Sequence, residues 1–115
     1  MSLDFELYVE CNSGGKELIH HSIIDLNITH NLNSMAGSAG IYDCLWRHEE
    51  SDISKASDLI GPLTEGVDRL EADPEKFIAM NPANGWGTYD GLVSFAKELL
   101  EAATDNPDAL IYASR

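Results

Sequence analysis

The stretch Ile24-Asp25-Leu26-Asn27-Ile28-Thr29-His30-Asn31-Leu32 decides the fold, because the hydrophobic period changes inside it. Ile24, Leu26 and Ile28 alternate with Asp25 and Asn27, the pattern of a strand with one face on a core. From Thr29 the apolar residues Leu32, Met35, Ala36, Ala39, Tyr42, Leu45 and Trp46 fall three and four apart, which predicts a helix buried on one side. Thr29 is its expected N-cap, the hydroxyl accepting from a backbone N–H of the first turn. Gly37 and Gly40 each weaken such a helix by about 1 kcal/mol relative to Ala, so they are read as points of close approach by another element.

Toward the N-terminus, Phe5-Glu6-Leu7-Tyr8-Val9-Glu10 alternates apolar and polar, and Asn12-Ser13-Gly14-Gly15-Lys16 supplies the glycines of a hairpin loop. A second strand over residues 18–28 completes the hairpin. Toward the C-terminus, Ser51 or Asp52 is expected to cap a helix with Ile53, Ala56, Leu59, Ile60, Leu63, Val67 and Leu70 on one face. Gly61-Pro62 predicts a kink in it, or two shorter helices meeting near Leu59. Asp73-Pro74-Glu75 reads as an N-cap followed by proline at the first helical position, opening a short helix that stops before Asn81-Pro82. An irregular aromatic loop follows to Asp90. Thr88 then caps a last helix carrying Leu92, Val93, Phe95, Ala96, Leu99, Leu100 and Ala103, and Ala109-Leu110-Ile111-Tyr112-Ala113 forms a final strand. The expected fold is α+β: one domain over residues 1–115, with a small antiparallel three-stranded sheet packed by about four helices.

Composition removes several classes of function. Twenty Asp and Glu against seven Lys and Arg give a formal charge of -13, a field that repels phosphate backbones, so no direct nucleic-acid binding is expected. No apolar run reaches the roughly 18 residues of a membrane span, and the start Met1-Ser2-Leu3-Asp4-Phe5 lacks a signal-peptide pattern, which makes the cytoplasm the expected location. Cys11 and Cys44 lack C-x-x-C spacing and are expected to be free thiols, with Cys44 on an apolar helical face where a nucleophilic thiolate is disfavoured. His20, His21, His30 and His48 have no zinc-binding spacing, and adjacent His20 and His21 should point to opposite faces of a strand, so neither a metal nor a cofactor is expected. Gly14-Gly15-Lys16 is too short for a P-loop.

The polar residues at the strand-to-helix junction are the candidate site. His30 is the histidine flanked by neutral hydrogen-bonding groups, suited to donate, accept or exchange a proton. Asn27 and Asn31 could hold a ligand carbonyl or phosphate beside the free N–H groups of the helix start. In the bland reading, Thr29 simply caps the helix while its neighbours satisfy buried backbone. Trp86, Thr88 and Tyr89 belong to the same candidate set if the Gly85-Trp86-Gly87 loop folds over the junction; otherwise Trp86 plugs its own core.

The stretches Asn27-Ile28-Thr29-His30-Asn31-Leu32, Gly40-Ile41-Tyr42-Asp43-Cys44-Leu45-Trp46-Arg47 and Asn84-Gly85-Trp86-Gly87-Thr88-Tyr89 resemble small uncharacterised proteins of bacteriophages, prophages and some bacteria. The resemblance spans most of the chain and implies a stand-alone accessory protein of phage type, with no activity or catalytic residue to carry over. Two readings follow. One is a non-enzymatic acidic protein that binds a partner through carboxylates concentrated between Glu49 and Lys76. The other is a small enzyme or ligand-binding domain centred on His30. The sheet must also have edges, through which a homodimer could form.

Overall fold

A computed structural model describes residues 2–12, 14 and 18–115. Three strands form one antiparallel sheet in the order β2-β1-β3: β1 is Ser2–Asn12, β2 Leu18–Thr29 and β3 Leu110–Ser114. Leu3, Phe5 and Leu7 of the central strand are fully buried, while Asp4 between them faces solvent. The alternation therefore makes a sheet with one wet face and one face under helices. Ser13, Gly15 and Lys16 of the expected hairpin loop lie outside the described residues.

The hairpin has a bulge. Leu7 pairs with Ile24 but Tyr8 pairs with Ser22, so Ile23 is an extra residue on β2. From Leu18 to Ser22 every β2 residue is exposed, Leu18 at 62% and Ile19 at 51%, and β3 reaches along β1 only to Tyr8. Beyond Tyr8 and the bulge the hairpin is a two-stranded ribbon, of which Val9 alone among the described residues packs against the core, and the molecule measures 53 × 26 × 23 Å.

Five helices cover the inner face: α1 Asn33–Ala39, α2 Tyr42–Trp46, α3 Ser57–Ala72, α4 Pro74–Ile78 and α5 Tyr89–Asp105. The single helix expected from Thr29 to Trp46 is broken at Gly40, which takes φ 81°. There Gly40 N–H donates to Gly37 O and Ile41 N–H to Ala36 O, the paired bonds of a Schellman ending. The helix expected to be capped by Ser51 or Asp52 also starts later, at Ser57. Lys55 and Ala56 are drawn instead to the C-terminal strand, by a bridge between Lys55 and Leu110 and by donation from Ala56 N–H to Ala109 O at 2.9 Å, while Ile53 N–H donates to His48 O. Pro62 sits inside α3, which runs unbroken, so the two-helix expectation is also corrected. It lies in the second turn, and Gly61 before it has no Cβ to meet the proline ring. Asp73 caps α4 ahead of Pro74, and Thr88 caps α5 by accepting from Gly91 N–H at 3.1 Å.

Of the two glycines read as points of close approach, Gly40 is one, since a Cβ there would strike the Arg69 guanidinium of α3, and Gly37 is not; Gly66 of α3 is a further one. A Cβ at Gly66 would strike the Ile41 side chain and approach the Ala39 carbonyl oxygen to 3.4 Å, whereas one at Gly37 would find only Tyr42 Cβ at 4.0 Å. Arg69, one turn along α3, donates to the Ala39 carbonyl at 3.0 Å and fastens the same contact. Among the described residues no helix is long and apolar enough to cross a membrane. Opposite responses to one substitution are expected. Gly37→Ala should stabilise the fold by up to about 1 kcal/mol through helix propensity. Gly66→Ala should destabilise it, because overpacking costs about 1–3 kcal/mol and outweighs that gain. Urea unfolding followed by far-UV circular dichroism measures both.

Candidate functional site

The candidate site begins where β2 ends. The pairing of Ser2 with Thr29 and of Asp4 with Asn27 sets these four residues side by side. Asn27 Nδ2 donates to Asp4 Oδ1 at 2.6 Å and to Ser2 Oγ at 2.9 Å, which fixes the amide against the sheet. Thr29 Oγ1 accepts from Asn31 N–H at 3.2 Å and caps a 3-10 turn over His30–Leu32, whose Leu32 enters the core. Asn31 remains exposed on the outside of that turn.

The aromatic loop lies against this junction. Gly87 takes φ 101°, and a Cβ there would come within 2.6 Å of Thr29 Cγ2 and 2.9 Å of Leu32 Cγ. Only a residue without a side chain permits both the conformation and the approach. On one side the loop is shaped by Asn84, whose Oδ1 accepts from Trp86 N–H at 2.9 Å. On the other it is anchored by Tyr89, which receives Asn81 Oδ1 on its backbone N–H at 2.8 Å and donates its hydroxyl to Leu70 O at 2.7 Å. The Trp86 indole is 69% exposed, so it does not plug the core.

Junction and loop together enclose a cleft of about 530 Å³ lined by Ser2, Asn27, Thr29, Asn31, Asn84 and Trp86. Among the described residues no charged side chain lines it. Asn27 Oδ1, Asn84 Nδ2 and the whole Asn31 side-chain amide carry no further hydrogen bond among the described residues, and the Thr29 hydroxyl proton is likewise free to donate. The cleft therefore offers donors and acceptors in one small volume beside an open aromatic face.

Of the candidates read from sequence, Asn27, Thr29, Asn31 and Trp86 come together here, and His30, Thr88 and Tyr89 do not line the cleft. His30 turns inward, its ring edge-on to Trp46 with centroids 6.3 Å apart. His30 Nε2 and Trp46 Nε1 are both buried without a hydrogen-bond partner among the described residues. Thr88 is occupied as the cap of α5, and Tyr89 is a core residue stacked near Phe77. Ser2 and Asn84 escaped the sequence reading. The hairpin register was the signal for Ser2, and the Asn-Gly turn was the signal for Asn84.

Elsewhere, Cys44 is buried, donates its Sγ to Ile41 O at 3.3 Å, and has its thiol pushed up to about 12 by burial first of all. Cys11 is exposed, and both thiols are free. His20 stacks on Tyr8 with its Nε2 2.9 Å from Glu6 Oε1, and its neighbour His21 pairs with Val9. Among the described residues no three His, Cys, Asp or Glu side chains converge as metal ligands. Compared with known proteins, the chain matches no family model, no curated protein and no solved structure.

The loop contact and the thiols each yield an expectation. Gly87→Ala should lift the loop off Thr29 and Leu32 while leaving α5 capped, read as changed amide shifts at residues 29–32 and 84–88 with little change in helical circular dichroism. At pH 8, a thiol reagent should label Cys11 at once and reach Cys44 only on unfolding, because a thiol held near 12 presents almost no thiolate. Equal labelling of both in the folded protein would contradict the burial of Cys44.

Proposed function

We propose that this chain is a non-enzymatic binding protein whose cleft takes an uncharged, hydroxyl-rich ligand, a small saccharide being the chemical type. The observation that carries the proposal is the composition of the cleft: three asparagines, a serine, a threonine and an exposed indole, with no lysine, arginine, histidine or carboxylate among them. A sugar hydroxyl donates and accepts at once, which suits amides that present both groups. The apolar face of a sugar ring suits a flat indole that has water on one side. Phosphate and carboxylate ligands suit it badly, since no lysine, arginine or histidine is among the described residues that line the cleft and the chain carries a charge of -13. The enzyme reading centred on His30 lacks such support, because the imidazole turns toward Trp46 and away from these groups. An accessory role of phage type, exercised in the cytoplasm, belongs to the same proposal; an exposed and unpaired Cys11 accords with a reducing compartment.

Trp86 makes the test direct. Titrating the protein with a panel of neutral mono- and disaccharides should give a saturable change in tryptophan fluorescence with at least one of them. The change should vanish in Trp86→Ala. Asn31→Ala should weaken binding roughly five-fold, the worth of one net hydrogen bond of about 1 kcal/mol. Inorganic phosphate and acetate should produce no saturable change. Saturable binding of phosphate, or no response to any sugar in the panel, would sink the proposal.

A further inference from the structure

The free edge of the sheet forms a second surface, independent of the cleft. β2 is an outer strand throughout its twelve residues, and these include neither lysine nor proline, two residues that commonly blunt an exposed edge. On the C-terminal side of the bulge, from Ile24 to Thr29, its unpaired backbone groups form a regular edge that can accept another strand. Beside this edge α5 leaves a groove of about 500 Å³, floored by Ile23, Ile24, Leu26 and Ala102 and bordered by Glu98, Glu101 and Asp105.

These three carboxylates stand three and four residues apart on one face of α5. Among the described residues none of them is paired with a cation. Four of the six described Lys and Arg are paired elsewhere, Arg47 near Glu50, Arg69 near Glu65, Lys97 on Glu71 and Arg115 on Glu49, while Lys76 lies over the Phe77 ring and Lys55 sits at the bridge to Leu110. Several carboxylates of the 49–76 region are thus already occupied, as is Asp58, which accepts from the N–H groups of Ser54 and Lys55. The uncompensated negative charge next to an apolar floor is on α5, not on α3.

We propose that this edge docks an extended basic segment of a protein partner, added as a fourth strand alongside β2. Alternate residues of such a strand project to one face about 7 Å apart, comparable with the axial step of about 6 Å from Glu101 to Asp105. Lysine or arginine at those positions lays its alkyl stem on Ile23, Ile24, Leu26 and Ala102 and carries its charge to the carboxylate rim. Backbone pairing supplies affinity and the rim supplies selectivity, as in other strand-addition complexes. A second copy of this chain is the poorer occupant, since it would bring an identical acidic rim and a strand without lysine or arginine to the same place.

The test is a nuclear magnetic resonance titration of the full chain with a short synthetic peptide of alternating lysine and valine, and with its counterpart of alternating glutamate and valine. The lysine peptide should shift amides of β2 and the last turns of α5 and slow hydrogen exchange along β2. Binding should weaken roughly tenfold between about 50 mM and about 500 mM salt, as screening of an exposed ionic rim requires. The double variant Glu98→Gln/Glu101→Gln, altered only at exposed positions and checked by its unchanged circular dichroism, should lose roughly tenfold in affinity. Trp86→Ala should leave this binding intact, which separates the edge from the cleft. Equal binding of the glutamate peptide, shifts centred on α3, pairing of β2 with a second copy, or no binding of the lysine peptide would overturn the inference.

Discussion

Three side chains on one strand organise this molecule. Leu3, Phe5 and Leu7 are withdrawn from water completely, and they project to one face because a strand alternates. Each of the longer helices supplies an apolar stripe to that face: Leu59, Leu63 and Leu70 from α3, and Leu92, Phe95 and Leu99 from α5. Burying such side chains is worth about 1.5–3 kcal/mol apiece, which dwarfs the surface ion pairs at about 0–1 kcal/mol. The same constraint sets the hairpin register, since a slip of one residue would carry Ile24, Leu26 and Ile28 to the wet face. Register in turn puts Ser2 opposite Thr29. The cleft is in this sense a by-product of core packing, built from whatever stands beside the buried pair Leu3 and Ile28.

Much of the architecture could be read from residue spacing. The change of period at Thr29 marks the true end of β2, and the caps at Asp73 and Thr88 start the helices they announce. What periodicity could not reveal is a break between two helices that share one core. Tyr42, Leu45 and Trp46 continue the spacing of Leu32, Met35 and Ala39 because α1 and α2 bury toward the same interior, so the left-handed turn at Gly40 leaves no trace in the pattern. Ile53 and Ala56 misled for a related reason. They are buried at helical spacing, yet Ile53 N–H donates to His48 O and Ala56 N–H to Ala109 O at the entry to the last strand, the second a contact more than fifty residues away in the chain.

The site was legible in part. Asn27, Thr29 and Asn31 are neighbours in sequence and stay neighbours in space, whereas Asn84 and Trp86 reach them only through the contact of Gly87 with Thr29 and Leu32. His30 lies between two cleft residues and still leaves the cleft. A 3-10 turn advances by a third of a circle per residue, so consecutive side chains point far apart, and the one between Thr29 and Asn31 meets Trp46. Polar neighbours in sequence therefore said little about where the imidazole goes.

The bulge at Ile23 also divides the hairpin dynamically. On its far side, residues 9–12 and 18–21 form a ribbon with one neighbour per strand and little apolar cover, the sort of segment that is marginal by itself. On its near side the same two strands are clamped between β3 and the helices. The bulge is thus where the hairpin passes from one neighbouring strand to core-backed sheet, the kind of change in support at which a local opening stops. The cleft sits at the opposite end of these strands, beyond Leu3 and Ile28, so fluctuations of the ribbon are insulated from the residues that frame it.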